Sequence, residues 1–198
     1  MFSFPENRRK DSLHSILDMI YKLCEMPLCF IEGILRKPDD NALHKHSLLG
    51  KPVFKWTESD ENLLVMVKEI KDNVDGMNFS DVLMAALSNG LEYFFTKTME
   101  TIPEEIAVVL PVRFPKTLID EDLVLKNDFS VTILDLPINR GNVNEINQRC
   151  NNLRKSADPL TNYYFLKLVS SVLPNHILQP LLQSNQATMV FSNMPGPD

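Results

Sequence analysis

The chain has 198 residues, of which 44% are hydrophobic and 23% are charged, a composition that argues against intrinsic disorder. Its 26 acidic residues outnumber 20 basic ones and give a formal net charge of −6, which argues against the broad basic face of a nucleic-acid-binding protein. Residues 1–11 are polar and charged, and 16–35 contains four charged residues and Pro27, so neither a signal peptide nor a membrane-spanning helix is predicted.

We predict a connecting arm over 1–56, followed by a lobe over 57–198. Hydrophobic periodicity predicts a helix over 12–35, in two pieces around Pro27. The helix carries an apolar stripe made of Leu13, Ile16, Leu17, Ile20, Leu23 and Cys24. We expect this stripe to face the protein core, and a position on a membrane surface is the alternative. At the end of the arm, the alternation over 53–56 predicts a short strand.

Two helices are predicted at the start of the lobe. The first spans 61–71, after a polar stretch that supplies capping residues. The second spans 82–96 and is strongly apolar, with Ser80 and Asp81 as its caps. Within it, Gly90 indicates a tight contact with a neighbouring element.

The rest of the lobe alternates strands with helices. A continuous apolar run over 106–112 predicts a strand buried on both faces, and the alternation over 129–137 predicts a second strand. Helices are expected over 143–156 and 160–182, the second with breaks at Pro174 and Pro180, and a final strand over 187–191. Strands separated by helices of this length indicate a layered α/β sandwich.

The chain ends on a strand followed by a rigid turn. Ser192 and Asn193 can bond their own backbone and open the turn, and the Pro-Gly-Pro sequence at 195–197 reverses the chain. An apolar strand and a stiff turn usually lead into another element. We therefore expect the chain to be a piece of a larger protein, incomplete at its C-terminus.

Catalytic and metal-binding patterns are scarce. Cys24, Cys29 and Cys150 have no metal-ligand spacing, and we expect free thiols, with Cys24 and Cys29 buried as small hydrophobic side chains. His44 and His46 could ligate zinc, but a solvated loop is the preferred interpretation because a third ligand is missing nearby. From this cysteine and histidine spacing we predict no metal site. Neither a nucleophile elbow nor a phosphate-binding glycine loop occurs in the sequence.

Four segments form an ordered set of motifs. They read NALHKHSLLGKPVFKW at 41–56, VKEIK at 67–71 with FSDVLMAAL at 79–87, NDFSVTILDLPI at 127–138, and FSNMPGP at 191–197. In this order they resemble the motifs "NpLhg.lsG.k.v.w", "vK.i......vNDVLla", "gN.fg....dLPv" and "vSNvpGP". These are motifs of the wax ester synthase/diacylglycerol O-acyltransferase family of bacteria and plants, which the chain therefore resembles.

The resemblance implies a two-lobed acyltransferase fold related to chloramphenicol acetyltransferase and to condensation domains. In such enzymes the second His of an HHxxxDG motif in the N-terminal lobe is the general base for an acceptor hydroxyl, which attacks an acyl-CoA thioester. HHxxxDG does not occur in these 198 residues, so no catalytic residue is assigned. The chain resembles the C-terminal lobe alone, with acyl-CoA as co-substrate and no other cofactor.

Four residues are candidates for the substrate cleft between the lobes. The family's Asn-Asp pair aligns with Ser80 and Asp81, so its first position departs from the pattern. Asp81 could contact substrate or could serve only as a first-turn acid on the helix dipole. Ser192 and Asn193 follow a strand end that would face the cleft, where Asn193 could donate to substrate or only fix the turn. Arg113 could contact an acidic group or form a surface ion pair.

The resemblance implies long-chain acyl transfer to diacylglycerol or a long-chain alcohol, at a membrane or lipid surface on its cytosolic side. The implied partners are acyl-CoA, the acceptor lipid and the absent N-terminal catalytic lobe, and we expect the chain alone to be inactive. A non-catalytic lipid-binding module is the alternative, and a condensation-type domain is a third. An in-frame HHxxxDG segment encoded upstream of Met1 would favour the enzyme over the module.

Overall fold

The computed structural model describes residues 2–3, 12–44, 54–58, 60–98, 100–113, 129–138, 142–172, 174 and 186–193. These residues form a mixed α/β structure, which confirms the predicted class. The helices are α1 (Ser12–Leu35), α2 (Glu61–Asn73), α3 (Phe79–Thr98), α4 (Val143–Lys155) and α5 (Asp158–Val172). The strands are β1 (Phe2–Ser3), β2 (Glu105–Arg113), β3 (Phe129–Pro137) and β4 (Met189–Val190).

Strand β2 is the centre of the sheet. Along one edge it pairs antiparallel with β3 over its whole length, from Glu105 opposite Pro137 to Arg113 opposite Phe129. Its other edge is shared by two short parallel strands, β4 beside Val108 and β1 beside Val112. The chain therefore brings its first residues and its last strand to the same edge of one strand.

The two long predicted strands are confirmed, and the two short ones are not fully reproduced. Strand β2 is buried on both faces, as its apolar run predicts, whereas β4 spans only two of the five residues expected over 187–191. The strand predicted over 53–56 is wrong for 54–56, and residue 53 lies outside the described ranges. Phe54 and Trp56 are exposed there, so the alternating pattern has neither a paired strand nor a core to face.

The core lies between the sheet and helices α3 and α4. Its fully buried side chains include Phe95, Ile106, Leu136 and Ile146. The Ser88 hydroxyl donates to the carbonyl oxygen of Pro137 (2.5 Å) and so ties α3 to the end of β3. The tight contact predicted at Gly90 is wrong, because a Cβ placed there would meet nothing within 4 Å.

Helix α1 is continuous, so the predicted break at Pro27 is wrong. Contacts with the lobe hold the helix on both sides of the proline. Glu25 accepts a hydrogen bond from the backbone N–H of Ala157 (3.2 Å), and the rings of Phe30 and Phe165 lie 5.1 Å apart. Tertiary packing thus compensates for the backbone hydrogen bond that proline cannot make.

The apolar stripe of α1 faces outward from Ile16 to Cys24, and the Leu13 side chain lies outside the described part of the protein. Ile16, Leu17, Ile20 and Leu23 are each more than half exposed, and Cys24 is exposed as well. The prediction that the stripe faces the core is therefore wrong for these residues, and so is the prediction of a buried Cys24. Cys29 is half-buried. None of the helices within the described ranges is both long enough and apolar enough to cross a membrane.

Three other helices lie where the sequence predicts them. Helix α2 begins at Glu61 as expected and extends two residues beyond the predicted end, and α4 closely matches the prediction over 143–156. The Asn142 side chain caps α4 by accepting from the N–H of Asn144 (3.0 Å). Helix α5 begins two residues earlier than predicted, and most of the remainder of the expected 160–182 helix falls outside the described residues.

Candidate functional site

The first turn of α3 is closed by a reciprocal pair of hydrogen bonds. The carbonyl oxygen of Asn78 accepts from the N–H of Asp81 (2.9 Å), and the Asp81 carboxylate accepts from the N–H of Asn78 (3.0 Å). Only one half of a capping box is made, because the Asp81 carboxylate accepts from the Asn78 N–H whereas the Asn78 side chain does not accept from Asp81. The prediction that Ser80 and Asp81 precede the helix as caps is wrong, because α3 begins at Phe79 and both residues lie inside it.

Asp81 forms a buried ion pair with Arg154 from the last turn of α4. The Asp81 side chain is fully buried, and Arg154 is 5% exposed. Arg154 also donates through Nη1 to the side-chain oxygen of Asn151 (2.8 Å). With its amide oxygen turned toward the guanidinium, Asn78 accepts from Arg154 Nη1 (3.0 Å). Both charges are thereby paired and hydrogen-bonded, as burial requires.

The spacing along α4 explains how Arg154 reaches Asp81. Ile146, Cys150 and Arg154 recur every four residues and therefore share one face of the helix, which packs against the core. Burial and, to a smaller extent, the nearby Asp81 carboxylate raise the pKa of the Cys150 thiol to about 12. Cys150 is consequently a protonated, unreactive neighbour of the ion pair.

Asn193 contacts the start of α3, whereas the rest of the predicted terminal turn lies outside the described residues. Asn193 follows β4, and its side-chain amide donates to the hydroxyl of Ser80 (3.5 Å). The structure thus brings Asn193 and Asp81 together through Ser80, although these positions are widely separated in sequence. We call Ser80, Asp81, Arg154 and Asn193 the polar cluster.

The other two candidate residues lie outside this contact. Ser192 is exposed. Arg113 is the last residue of β2, where its backbone pairs with Ser3 and Phe129. Because β2 and β4 run parallel, their carboxyl ends lie at the same end of the sheet. Open α/β sheets commonly bind ligands at this end.

Residues of the arm hold the terminal strand in place. Asn41 donates to the hydroxyl of Thr188 (2.6 Å), and that hydroxyl donates to the carboxylate of Asp39 (2.5 Å). Asp39 also accepts from the N–H of Ala107 on β2 (2.9 Å). We call Asp39, Asn41 and Thr188 the arm latch. Asn41 begins the arm motif and is 5% exposed, so its place in the motif was the available signal for a structural role.

His44 belongs to a turn, because its backbone N–H donates to the carbonyl oxygen of Asn41 (3.0 Å). His46 lies outside the described residues. Among the described residues, three or more His, Cys, Asp or Glu side chains do not come together in a group that could hold a metal ion.

Comparison with known proteins gives a family match. Residues 125–198 match the family model described as the WS/DGAT C-terminal domain. This segment is similar to the WS/DGAT family. The match confirms the wax ester synthase/diacylglycerol O-acyltransferase family inferred from the motifs, and it assigns the segment to the C-terminal lobe. The search of curated proteins and the search of solved structures both found no match.

The polar cluster joins the WS/DGAT segment to the chain before it. Arg154 and Asn193 lie within the matched residues, whereas Ser80 and Asp81 lie on α3, which precedes them. The matched segment therefore packs against α3 through a buried ion pair and through Asn193. The WS/DGAT match indicates an acyltransferase of lipid metabolism.

Proposed function

We propose that this chain is the C-terminal lobe of a long-chain O-acyltransferase, with the two-lobed fold of the chloramphenicol acetyltransferase type. The reaction would transfer an acyl group from acyl-CoA to diacylglycerol or a long-chain alcohol. The proposal is carried by the contact of Asn193 with Ser80 at the end of the sheet, inside a chain whose C-terminal part is a WS/DGAT domain. This contact unites two of the motifs that resemble the family.

The polar cluster would position substrate and would leave the chemical step to the other lobe. The Asp81–Arg154 pair is buried and fully engaged, which favours a role in fixing the start of α3. Asn193 is half-buried and carries an amide that can donate to a substrate oxygen. The general base would be the second His of HHxxxDG on a partner lobe, since that motif is absent from these 198 residues.

Transfer of labelled palmitoyl groups from CoA to hexadecanol or to diolein tests this function. We expect no turnover by the purified chain alone, and turnover when an HHxxxDG-bearing WS/DGAT lobe is supplied with it. Asn193→Ala should lower that turnover about tenfold or more, by loss of one positioned donor. The matched control is Asn89→Ala, an exposed position on α3. Turnover by the chain alone, or equal loss in both variants, would contradict the proposal.

We further propose that the lobe works at a membrane or lipid-droplet surface on the cytosolic side. The outward-facing stripe of α1 supports this, because an exposed apolar helix face can lie in a lipid interface. Flotation with phospholipid vesicles measures it. The wild-type chain should float, and Ile16→Glu with Ile20→Glu should abolish flotation. Val65→Glu, at an equally exposed apolar position on α2, should leave flotation unchanged. A wild-type chain that stays wholly in the unbound fraction would contradict attachment.

A further inference from the structure

A cavity of about 880 Å³ lies between α1 and the surface formed by β3, α4 and α5. It falls within the range of roughly 300–1,000 Å³ that small-molecule sites occupy. The residues of the polar cluster do not line it, so the cavity is separate from the candidate site described above. Its lining combines aromatic and aliphatic side chains with an excess of carboxyl groups, and this combination determines which ligands it can hold.

Two helix faces meet across the cavity. On α1, Glu25, Cys29 and Glu32 are spaced by four and three residues and therefore share one face of the helix. On α5, Asp158 and Phe165 are seven residues apart and share a face for the same reason. All of these residues line the cavity. The two helices thus bring carboxyl groups from distant parts of the chain to one concave surface.

Carboxyl groups outnumber guanidinium groups in the lining by four to two, and they belong to Glu25, Glu32, Asp135 and Asp158. Both arginines are already engaged by carboxylates. Arg36 is ion-paired with Asp135. Arg149 donates to Glu105 (2.8 Å) and Glu145 (3.0 Å), which lie outside the lining. Among the described residues of the lining, the other three carboxyl groups are therefore left without a guanidinium partner.

The electrostatic field inside the cavity is negative. Burial raises the pKa of the Cys29 thiol, and the carboxylates of Glu25, Asp158 and Glu32 also raise it, because they disfavour a second negative charge nearby. Burial likewise raises the pKa of Asp158, and the carboxylate of Glu32 contributes to that rise. This field repels an anionic ligand and attracts a cationic one.

The cation that fits the cavity is organic. Among the described residues, three or more His, Cys, Asp or Glu side chains do not gather at one point that could hold a metal ion, so these carboxyl groups are spread along the cavity. The rings of Phe30 and Phe165 add an apolar wall, with their centroids 5.1 Å apart and their planes tilted by 56°. An organic cation can pack on these rings, and an aromatic ring also attracts a cation at its face.

We propose that this cavity binds a protonated organic amine, with its ammonium group at Glu25 and Glu32 and its apolar body against Phe30 and Phe165. Glu25 accepts from the N–H of Ala157 through one oxygen, Oε2, and Glu32 is exposed, so both carboxylates can accept from an ammonium group. The site goes beyond the acyl-transfer function and does not depend on it, because neither the acyl donor nor the acceptor of that reaction carries an ammonium group.

Ligand-observed NMR titration of the full 198-residue chain tests the ligand class with three probes that share one naphthyl body. Naphthylethylamine, which is protonated at neutral pH, should bind. Naphthylethanol should bind about tenfold more weakly, because it lacks the charge that strengthens hydrogen bonds to carboxylates. Naphthylacetate should bind more weakly than the alcohol, because the lining repels its carboxylate. Added salt should weaken binding of the amine and leave binding of the alcohol nearly unchanged.

Two pairs of glutamates test the position of the ammonium group. Glu25→Gln with Glu32→Gln removes two charges from the lining, and the new amide at position 25 keeps an oxygen that accepts from the N–H of Ala157. Glu92→Gln with Glu69→Gln is the matched control, since it removes the same charge from one half-buried and one exposed position outside the lining. We expect the first double variant to weaken binding of the amine about tenfold, and the control to leave it nearly unchanged.

The position of the apolar body is tested at two adjacent aromatic residues of α5. Phe165 lines the cavity, whereas Tyr164 is exposed and lies outside the lining. Phe165→Leu should weaken binding of the amine about fivefold, through loss of a ring that attracts the cation. Tyr164→Leu should leave binding unchanged.

Circular dichroism checks that each variant is folded, and the glutamate pairs keep the proposal testable if Phe165→Leu is not. The proposal would be overturned by no binding of the amine, by equal binding of the amine and the alcohol, or by equal losses in the two double variants. Equal losses in the two aromatic variants would overturn it too, because they would mean adsorption to the exposed surface.

Discussion

Replacing Arg154 with methionine tests the buried ion pair of the polar cluster. The substitution keeps most of the volume of the side chain and removes its charge, so the Asp81 carboxylate stays fully buried without its partner. Leaving one charge of a buried pair uncompensated costs about 3–5 kcal/mol. The hydrogen bond from the N–H of Asn78 to Asp81 offsets only part of this cost. We expect the free energy of unfolding at pH 7 to fall by about 3 kcal/mol or more.

Arg149→Met is the matched control, because it makes the same change five residues earlier on α4. The Arg149 side chain is 36% exposed, and its partners Glu105 and Glu145 are 51% and 47% exposed. Ion pairs of this kind contribute about 0–1 kcal/mol.

Urea unfolding followed by circular dichroism measures both variants. Asp81→Asn combined with Arg154→Met should recover part of the lost stability, because the double variant has no unpaired buried charge. The amide oxygen at position 81 can still accept from the N–H of Asn78. The reasoning would be refuted if Arg154→Met lost no more stability than Arg149→Met, or if the double variant were less stable than Arg154→Met alone.

Three further predictions concern caps, pH and thiol reactivity. Asn142→Ala should lower the free energy of unfolding by about 1 kcal/mol, because the Asn142 side chain caps α4. Asp60→Ala should change it little, because Asp60 makes no side-chain cap hydrogen bond. Equal effects in urea unfolding would contradict this prediction. Burial raises the pKa of Asp158 above 3.8, so the folded protein binds this proton more tightly than the unfolded chain and loses stability as pH rises from 3.8 through the raised value. Asp158→Asn should flatten that decline. Urea unfolding across pH measures it, and an unchanged slope would refute the prediction. In the native protein at pH 8, iodoacetamide should react with the exposed Cys24 and not with Cys150, whose pKa is about 12. Cys150 should react only after urea is added. Peptide mapping measures this, and reaction of Cys150 before Cys24 would contradict the prediction.

The sequence predicts elements well where one local signal dominates. The apolar run at 106–112 and the alternation at 129–137 each required one burial pattern, and both strands formed. The start of α2 and the cap of α4 likewise follow from local residues such as Asn142. In contrast, Pro27 reads as a helix break, because contacts with Ala157 and Phe165 cannot be seen from its neighbours.

The candidate site is predictable only at the residues that motifs mark. Asp81 and Asn193 were found in this way, but Arg154 was missed because an arginine in the last turn of a helix usually meets solvent or the helix dipole. Its burial depends on a partner 73 positions away. The cavity under α1 also depends on how distant elements pack, so composition and periodicity carry no signal for it.

The arm latch has a consequence for the order of folding. Asn41 and Thr188 are 147 positions apart, so their hydrogen bond closes one of the longest loops in the chain. We expect such contacts to form late, after the local helices and the β2–β3 pairing. The N–H groups of Thr188 and Phe191 donate to carbonyl oxygens of β2 next to the arm latch, and we expect them to exchange with solvent sooner than those in the middle of β3. Asn193 follows the short strand β4, so we expect local opening of β4 to break its contact with Ser80.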